Sequence, residues 1–450
     1  MPRPLVRRST LPVGATRRLI TARSAAAACG LAVLLPALAP AATPAETTAT
    51  PAETTATPAE TAATPGATAE ASVVTGRRPA PVAYVANVVS GTISRIRLAS
   101  GRAEPPVRLG RRSGPWAIAV APGGRTIWVA NAGNRTVTPI STRTGRAGRP
   151  VKVPAEPTEL AVAPDGQTVW VVSQINGTNQ TPGRITPVST ATGRAGKPIR
   201  VGIDPGPLVV SPDSRTVYLA TSGLNYQTLA GNLTVISARP DRVRRILHLG
   251  EPSDMALAPG GRTLYVAIAG PPAALIPVRT ASLRRGRPIR LPEFPQQMIM
   301  GQGGRSAYVL GAGGLVTRIS TGADRVVWTA RSTSPTPAAI GLTPDGRKIY
   351  VLGNAPHRRR GYLVPIGTAG GAVGKRIGVG HDPLAIAFGP GGQTAYVLCS
   401  SYLGYGSGSL FPVTMATRKA GRPVLAGRGS MFLAIVPGRS YEPWELGPLK

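Results

Sequence analysis

His381 and Asp382 are adjacent in this sequence, and they form the best candidate for a catalytic pair. The chain has 450 residues and only three His, so few imidazole groups are available for proton transfer. An imidazole beside a carboxylate can act as a general base or bind a divalent metal. No H-x-x-x-H motif and no Cys–His set accompanies the pair, and acid–base catalysis normally needs several convergent titratable groups. The sequence therefore favours a role other than catalysis, with this pair as the enzymatic alternative.

Carboxylates recur at one place in the sequence, directly before or just inside a short apolar run that begins with Pro. Asp204 and Asp382 precede such a run, and Glu159 and Asp254 lie two residues inside one. Oxygen ligands suit a divalent cation. Such a cation is the one cofactor that the sequence suggests, with Asp204, Asp254 and Asp382 as its candidate ligands. The competing interpretation is local, because Asp in a turn commonly accepts a hydrogen bond from a nearby backbone N–H. We favour the local role for most of these residues and expect no cofactor.

These residues belong to a unit of about 45 residues that repeats from residue 80 onwards. Each unit starts with an apolar run such as Pro115–Val120, which is typical of a strand buried on both faces, here called strand A. A turn of the type Pro164-Asp165-Gly166 leads to strand B, which has an aromatic residue at a constant position, as in Tyr84-Val85-Ala86-Asn87. Strand C, such as Thr138-Pro139-Ile140, turns into strand D. Pro fits in strand C only where its missing N–H faces no partner.

Four short antiparallel strands per repeat predict an all-β fold of the β-propeller type. Strands A and B each occur eight times, but the first B, at Tyr84, has no A before it, and the last A, at Met431–Val436, has no B after it. We therefore expect eight four-stranded blades, in which the C-terminal strand completes the N-terminal blade and removes an exposed edge. Seven blades are the alternative, if the weakest copy, residues 295–336, is only a loop. Each aromatic residue of strand B is expected between neighbouring sheets.

Tyr84-Val85-Ala86-Asn87, together with Pro164–Trp170 and Thr138-Pro139-Ile140, resembles the YVTN-repeat β-propeller family. The resemblance extends over residues 80–440. It implies a secreted or cell-surface repeat protein of the kind found in bacteria and archaea, and it carries no catalytic residue across. Propeller lyases and lactonases use His and carboxylates at the central channel, often with a divalent metal, which defines the enzymatic alternative for His381 and Asp382.

The connections at one end of the predicted propeller vary in length and composition, whereas those at the other end are short and alike. Long B–C loops are expected at 173–184, 221–232, 353–361 and 400–409. Functional residues commonly lie on variable loops above a rigid scaffold, so we expect the binding face at this end. Its candidate residues are Asn225, Tyr226, His357, Arg358, Arg359, Arg360, Tyr402 and Tyr405.

The N-terminal residues predict export. Arg residues and an apolar run, Ala25–Ala39, precede small residues that suit signal cleavage, and the run is too short for a membrane span. We divide the chain into a signal peptide (1–41), a Thr-, Pro- and Ala-rich disordered linker (42–79), the propeller (80–440) and a tail (441–450). The mature chain is expected to lack a membrane span, to be monomeric, and to be secreted or attached to the cell surface. The sequence leaves open whether the Sec or the twin-arginine route exports it.

Charge gives a second alternative. The formal net charge is +33, from 52 Lys and Arg against 19 Asp and Glu, which favours non-specific contact with a polyanion, including nucleic acid. The Arg residues are spread over all repeats without the interleaved aromatic residues of single-stranded nucleic-acid sites. The leading hypothesis is therefore a binding or scaffolding module at the cell envelope, whose partner is an unidentified envelope protein or glycan.

Overall fold

The computed structural model describes residues 80–174, 182–222, 231–334, 336–355, 358–400 and 406–436. Within these ranges the chain is almost entirely β-structure, interrupted by three short 3-10 turns at Pro122–Gly124, Ala132–Asn134 and Gln302–Gly304. The strands form seven antiparallel sheets: five of four strands, one of five and one of seven. None of the helical segments in the described ranges is long and apolar enough to cross a membrane.

The strands follow one another as A, B, C and D, as the sequence predicts. The A strands are β4 (Pro115–Val120), β8 (Glu156–Val162), the second half of β11 (Ile199–Val210), β15 (Pro252–Leu257), β19 (Pro295–Met300), β23 (Thr336–Leu342), β27 (Pro383–Phe388) and β32 (Ser430–Val436). The B strands are β1 (Val82–Asn87), β5 (Thr126–Asn131), β9 (Thr168–Gln174), β12 (Thr216–Ser222), β16 (Thr263–Ile268), β20 (Ser306–Gly311), β24 (Lys348–Ala355) and β28 (Thr394–Cys399).

The C and D strands complete each repeat. The C strands are β2 (Thr92–Arg97), β6 (Thr136–Ser141), β10 (Pro182–Ser189), β13 (Asn232–Ala238), β17 (Ala274–Arg279), β21 (Leu315–Ser320), β25 (Arg358–Gly367) and β29 (Ser407–Thr414). The D strands are β3 (Arg102–Arg108), β7 (Val151–Lys152), the first half of β11, β14 (Asp241–His248), β18 (Ile289–Arg290), β22 (Arg325–Arg331), β26 (Ile377–His381), and β30 (Lys419–Ala420) with β31 (Val424–Arg428).

The seven-stranded sheet contains two successive repeats, because β11 ends one and begins the next. Ile199 of β11 pairs with β10, and Val210 at its other end pairs with β12. The set A to D therefore occurs eight times in the described residues. The weakest copy in the sequence is a complete set as well, since β19 to β22 form one four-stranded sheet.

The first and last described strands pair with each other. Strand β32 adds to β1 in antiparallel register, with Val82 opposite Val436 and Ala86 opposite Phe432. The sheet order is β3-β2-β1-β32, so the N-terminal B, C and D strands receive their A strand from the C-terminal end of the described chain.

The A strands contact one another in succession. Strand β4 contacts β8, and the contacts continue through β11, β15, β19, β23 and β27 to β32, which contacts β4. The A strands therefore lie on the inside, and the D strands other than the first half of β11 lie at the far ends of their sheets.

Buried side chains fill the space between neighbouring sheets. Tyr265 of β16, for example, shares a cluster with Met298 and Met300 of the next sheet. Each aromatic residue at this position of strand B belongs to such a cluster, as expected from the sequence: Tyr84, Trp128, Trp170, Tyr218, Tyr265, Tyr308, Tyr350 and Tyr396. A four-stranded sheet cannot bury its own apolar faces, so each sheet depends on the neighbouring repeats to cover them.

The A–B turns are held by two kinds of hydrogen bond. Asp in the turn accepts from the backbone two residues on, as predicted; Gln167 N–H donates to Asp165 Oδ1 at 2.9 Å. In addition, a Thr hydroxyl from the C–D turn donates to a Gly carbonyl of the A–B turn, as Thr280 Oγ1 does to Gly261 O at 2.6 Å. The Thr residues that make this second bond are Thr142, Thr190, Thr280, Thr321 and Thr368.

Candidate functional site

The repeats present two different ends. The connections from B to C and from D to A lie at one end, here called the loop face, and the A–B and C–D turns lie at the other, here called the turn face. Five candidate residues of the predicted binding face lie outside the described residues: Asn225, Tyr226, His357, Tyr402 and Tyr405. Their assignment to the binding face stays a prediction.

The predicted loop at 353–361 is wrong in most of its length. Strand β24 continues to Ala355 and β25 begins at Arg358, with Ala355 opposite Arg358 and Asn354 opposite Gly361. The backbone of Arg358, Arg359 and Arg360 is therefore strand. Cross-strand pairing outweighs the loop preference of this Gly- and Arg-rich segment, because strand propensity depends strongly on context.

The candidate pair His381–Asp382 lies at the loop face. His381 is the last residue of β26, is exposed, and stands opposite Arg360 in the strand pairing. Asp382 follows with a left-handed backbone (φ 46°) and leads into β27. An exposed imidazole and a guanidinium on neighbouring strands can together bind an anionic or polar group.

Cys399 stands opposite Pro383, the residue after this pair, and is buried. Burial raises the pKa of its thiol to about 12, the charge of Asp382 adds to the increase, and a backbone hydrogen bond involving Gly380 opposes it. The thiolate is the reactive form of cysteine, so this residue is part of the core rather than a nucleophile.

Asp204 lies inside a strand, whereas its place before an apolar run predicts a link between strands D and A. It belongs to β11 and has a left-handed backbone (φ 45°), at the point where the strand passes from one repeat to the next. Its carboxylate accepts a hydrogen bond from Gln174 Nε2 at 3.0 Å. The carboxylate therefore connects β9 to β11.

Three side chains of the A strands connect neighbouring repeats across the inside of the molecule. Leu208 N–H donates to Glu159 Oε1 at 3.3 Å, and Met298 N–H donates to Asp254 Oδ2 at 2.6 Å. Gln297 takes the same role one repeat further on. In each case the acceptor reaches a backbone N–H of the next A strand.

Gln297 shows that this connection does not require a charge. Its Oε1 accepts from Ile340 N–H at 2.9 Å. The position of Glu159 and Asp254 just inside strand A predicts a local role, which Asp254 has in part, since its Oδ1 accepts from Met255 N–H at 2.8 Å. The hydrogen bonds to Leu208 and Met298 reach further. They satisfy N–H groups at the inner edge of the next sheet, where a missing partner would be costly.

The carboxyl group of Glu159 is strongly perturbed. Burial raises its pKa well above the usual value, the backbone hydrogen bond from Leu208 opposes the increase, and the negative charge of Asp254 adds to it. The residue as a whole keeps part of its surface accessible, but its carboxyl group is desolvated. The two carboxylates therefore interact electrostatically on the inside of the molecule.

The three metal-ligand candidates are distributed over separate elements. Asp204 lies in β11, Asp254 in β15, and Asp382 between β26 and β27. In the described ranges, no group of three or more His, Cys, Asp or Glu is arranged to hold a metal ion.

The Asn of the Tyr-Val-Ala-Asn motif has a structural role. Asn87 is fully buried, and its Nδ2 donates to Ser94 Oγ at 2.9 Å and to Thr92 Oγ1 at 3.1 Å. Its Oδ1 accepts from Ser430 Oγ at 2.7 Å. This side chain joins strands B and C to the C-terminal strand.

No known family model matches this chain, and no curated protein is similar to it in sequence. Solved structures resemble it in fold. The dihydro-heme d1 dehydrogenase NirN is 12% identical, with a TM-score of 0.63, over 77% of this chain and 73% of that one. AztD from Citrobacter koseri is 12% identical, with a TM-score of 0.58, over 80% of this chain and 98% of that one.

A periplasmic gluconolactonase from Pseudomonas aeruginosa, PpgL, is 19% identical, with a TM-score of 0.55, over 79% of this chain and 99% of that one. Identities this low establish a shared fold and leave the activity open. The fold of this chain is that of a β-propeller.

Proposed function

We propose that this protein is a secreted β-propeller that binds an envelope protein or glycan through its loop face. The observation that carries the proposal is the difference between the two ends. At the turn face, repeated Thr–Gly hydrogen bonds fix similar, short turns. The loop face carries connections of unequal length and large exposed apolar side chains, Val89 and Phe294. Variable connections on a rigid frame are the usual place for recognition.

We infer that the eight repeats close into an eight-bladed ring. The pairing of β1 with β32 supports this, because it supplies the strand that the first repeat lacks. The succession of contacts between A strands, which returns from β32 to β4, supports it too. A closed ring leaves no sheet face unpacked against a neighbour.

The proposed location outside the cytoplasm rests on the N-terminal residues. The Arg-rich segment and the apolar run Ala25–Ala39 have the order of an export signal. The likeness to a periplasmic gluconolactonase agrees with this location. Whether the mature protein is free or attached to the envelope can be measured by fractionation.

The test is retention on isolated cell envelopes at 0.5 M NaCl, where purely electrostatic binding is screened. A variant with Ala at Phe294, Arg360 and Tyr402 should bind at least tenfold more weakly. A control with Ala at two residues of the turn face, Arg262 and Arg347, should behave as the wild type. Equal retention of both variants would reject the loop face as the binding surface.

The enzymatic alternative is a lyase or lactonase-type activity at His381 and Asp382. The observation that favours it is the exposed position of His381 at the loop face, opposite Arg360. Its test is the metal content of the dialysed protein together with hydrolysis of a sugar lactone. A stoichiometric divalent ion that disappears with Asp382→Ala, and activity that disappears in the same variant, would favour catalysis. Absence of both would leave the binding role as the proposal.

A further inference from the structure

The outer hairpins, formed by strands C and D, fall into two classes. In five repeats, strand C has a Pro directly opposite the aromatic residue of strand B: Pro139, Pro187, Pro277, Pro365 and Pro412. In the other three repeats this position holds Arg95, Val235 or Arg318. Because Pro has no N–H, strand D cannot form the regular ladder at that point.

Strand D has one extra residue opposite strand C in all eight hairpins, but only in the five with Pro is the strand-C residue at this point unpaired with strand D and a Gly placed at the bulge. In the first such hairpin, Ile140 pairs with Ala147 and Val137 pairs with Val151, so three steps on strand C match four on strand D. A Gly N–H at the bulge donates to the Pro carbonyl, at 2.7–2.8 Å in all five hairpins. The five glycines are Gly148, Gly196, Gly286, Gly374 and Gly421.

Glycine is required at the bulge because strand D approaches the Pro ring closely. A Cβ atom added at these five glycines would lie 2.8–3.2 Å from the Pro Cγ. The next residue is a cation in every case, and all five are exposed: Arg149, Lys197, Arg287, Lys375 and Arg422. The bulge therefore fixes a cation at the same place on the outer edge of five repeats.

These five cations are not neutralised locally. The segments 142–152, 190–200, 279–290, 367–376 and 415–423 contain no Asp or Glu. In the described residues, the ion pairs involve Arg95, Arg97, Arg135 and Arg331, and none of the five bulge cations.

The three hairpins without Pro differ in charge as well. Each has an acid in or just after its turn: Glu104, Asp241 and Asp324. Glu104 pairs with Arg95 at 2.8 Å and also with Arg97. The acid-free hairpins are therefore those with the Pro–Gly bulge, so the charge pattern follows the backbone pattern and is not a uniform excess of Arg.

We propose that the five hairpins with the Pro–Gly bulge form a binding surface for a linear phosphodiester polymer, which they recognise by charge alone. Cations held at the same backbone position in five repeats, with no acid in the same hairpin, can each pair with a phosphate of one long chain, and the binding gains free energy from released counterions. The five hairpin segments contain no Phe, Tyr or Trp, so they offer no ring on which a nucleobase could stack. This favours a polymer of the alditol-phosphate type over a single-stranded nucleic acid. The surface lies on the outer edge and is separate from the loop face, so the inference does not depend on the proposed function.

The experiment measures the anisotropy of fluorescent poly(glycerol phosphate) with the purified full-length protein between 50 and 300 mM NaCl. One variant replaces the five bulge cations by Gln (R149Q, K197Q, R287Q, K375Q and R422Q). The control removes the same charge from the other class of hairpin (R102Q, R108Q, R242Q, R244Q and R325Q), at residues that are exposed as well. Both variants are first shown to melt like the wild type.

We expect the bulge variant to bind at least tenfold more weakly at 50 mM NaCl. The slope of its affinity against salt should become shallower by about 0.7 for each phosphate that no longer meets a cation, and the control should stay within threefold of the wild type. Equal weakening of both variants would show that only the net charge matters and would overturn the proposal. An oligothymidylate of equal length serves as the second arm. If it binds more than tenfold tighter than poly(glycerol phosphate), bases are recognised and the proposal is wrong.

Discussion

Replacing Glu159 by Gln should make the protein more stable at neutral pH and less sensitive to pH. In the folded state Glu159 Oε1 accepts a hydrogen bond from Leu208 N–H at 3.3 Å. An amide oxygen can accept the same bond, as Gln297 does from Ile340 N–H. The substitution therefore removes the titration and the negative charge while it keeps the hydrogen bond between neighbouring A strands.

The size of the effect follows from the raised pKa of Glu159, whose main cause is burial, with the charge of Asp254 adding to it. A carboxyl pKa that is higher in the folded than in the unfolded state means that the unfolded state loses its proton first as pH rises. The favourable contribution of Glu159 is complete below the usual pKa of about 4.3 and decreases as pH rises towards the raised pKa. The decrease is about 1.4 kcal/mol for each pH unit in that window. Glu159→Gln has no such decrease, so its advantage is absent near pH 4 and greatest above the window.

The assay is guanidinium unfolding of both proteins at half-unit steps between pH 4 and pH 8. Gln297→Glu is the mirror variant and should acquire the pH dependence that Glu159→Gln removes. Glu159→Ala is the structural control, because it removes the same titration but leaves the Leu208 N–H without its acceptor, and it should be less stable than Glu159→Gln by about 1–3 kcal/mol at every pH. Parallel stability curves for wild type and Glu159→Gln across the whole range would refute the reasoning.

Three further experiments test the packing. Gly286→Ala should destabilise by about 1–3 kcal/mol, because its Cβ would lie 2.8 Å from the strand-C Pro ring, whereas Gly378→Ala, with open space around its Cβ, should change the melting temperature little. A chain that ends at Gly429 lacks β32, whose buried apolar side chains contribute about 1.5–3 kcal/mol each, and it should not melt cooperatively. The control is a chain that ends at Val436, which should melt as the wild type. Equal melting of the two chains would argue against the pairing of β32 with β1. The Cys399 thiol, with a pKa of about 12, should react with a disulfide reagent at pH 8 only after unfolding, and labelling of the native protein would contradict its burial.

The repetition of the fold could be predicted from the sequence because each local signal points to the same structure. The apolar run Pro115–Val120, the turn Pro164-Asp165-Gly166 and the aromatic residue at Tyr84 each mark one strand or turn, and all three recur with the same period. The pairing of β1 with β32 could also be predicted, because the first B strand has no A before it and the last A strand has no B after it. Agreement between local and global signals is typical of sequences that specify one fold.

The contacts between repeats could not be predicted in the same way. Glu159 and Leu208 are 49 residues apart, and the acceptor's partner is a backbone N–H, which leaves no mark on the identity of residue 208. The Thr–Gly hydrogen bonds, such as that from Thr280 to Gly261, are equally hidden, because a Thr in one turn does not indicate which other turn its hydroxyl contacts. The segment at Arg358–Arg360 resembles a loop because its composition gives no strand signal, and strand pairing decides its structure.

The pairing of Val82 with Val436 also places the two ends of the propeller strands side by side. Strand β1 begins, and β32 ends, at the turn face, so the chain enters and leaves the propeller at neighbouring points on that side. A tether through either tail would hold the turn face towards the anchoring surface and present the loop face to the surroundings. The same geometry would allow a circularly permuted chain, with residues 82 and 436 joined by a short linker and new ends placed in a loop-face connection. Such a permutant would reverse the presentation and offer the opposite side of the propeller to its surroundings.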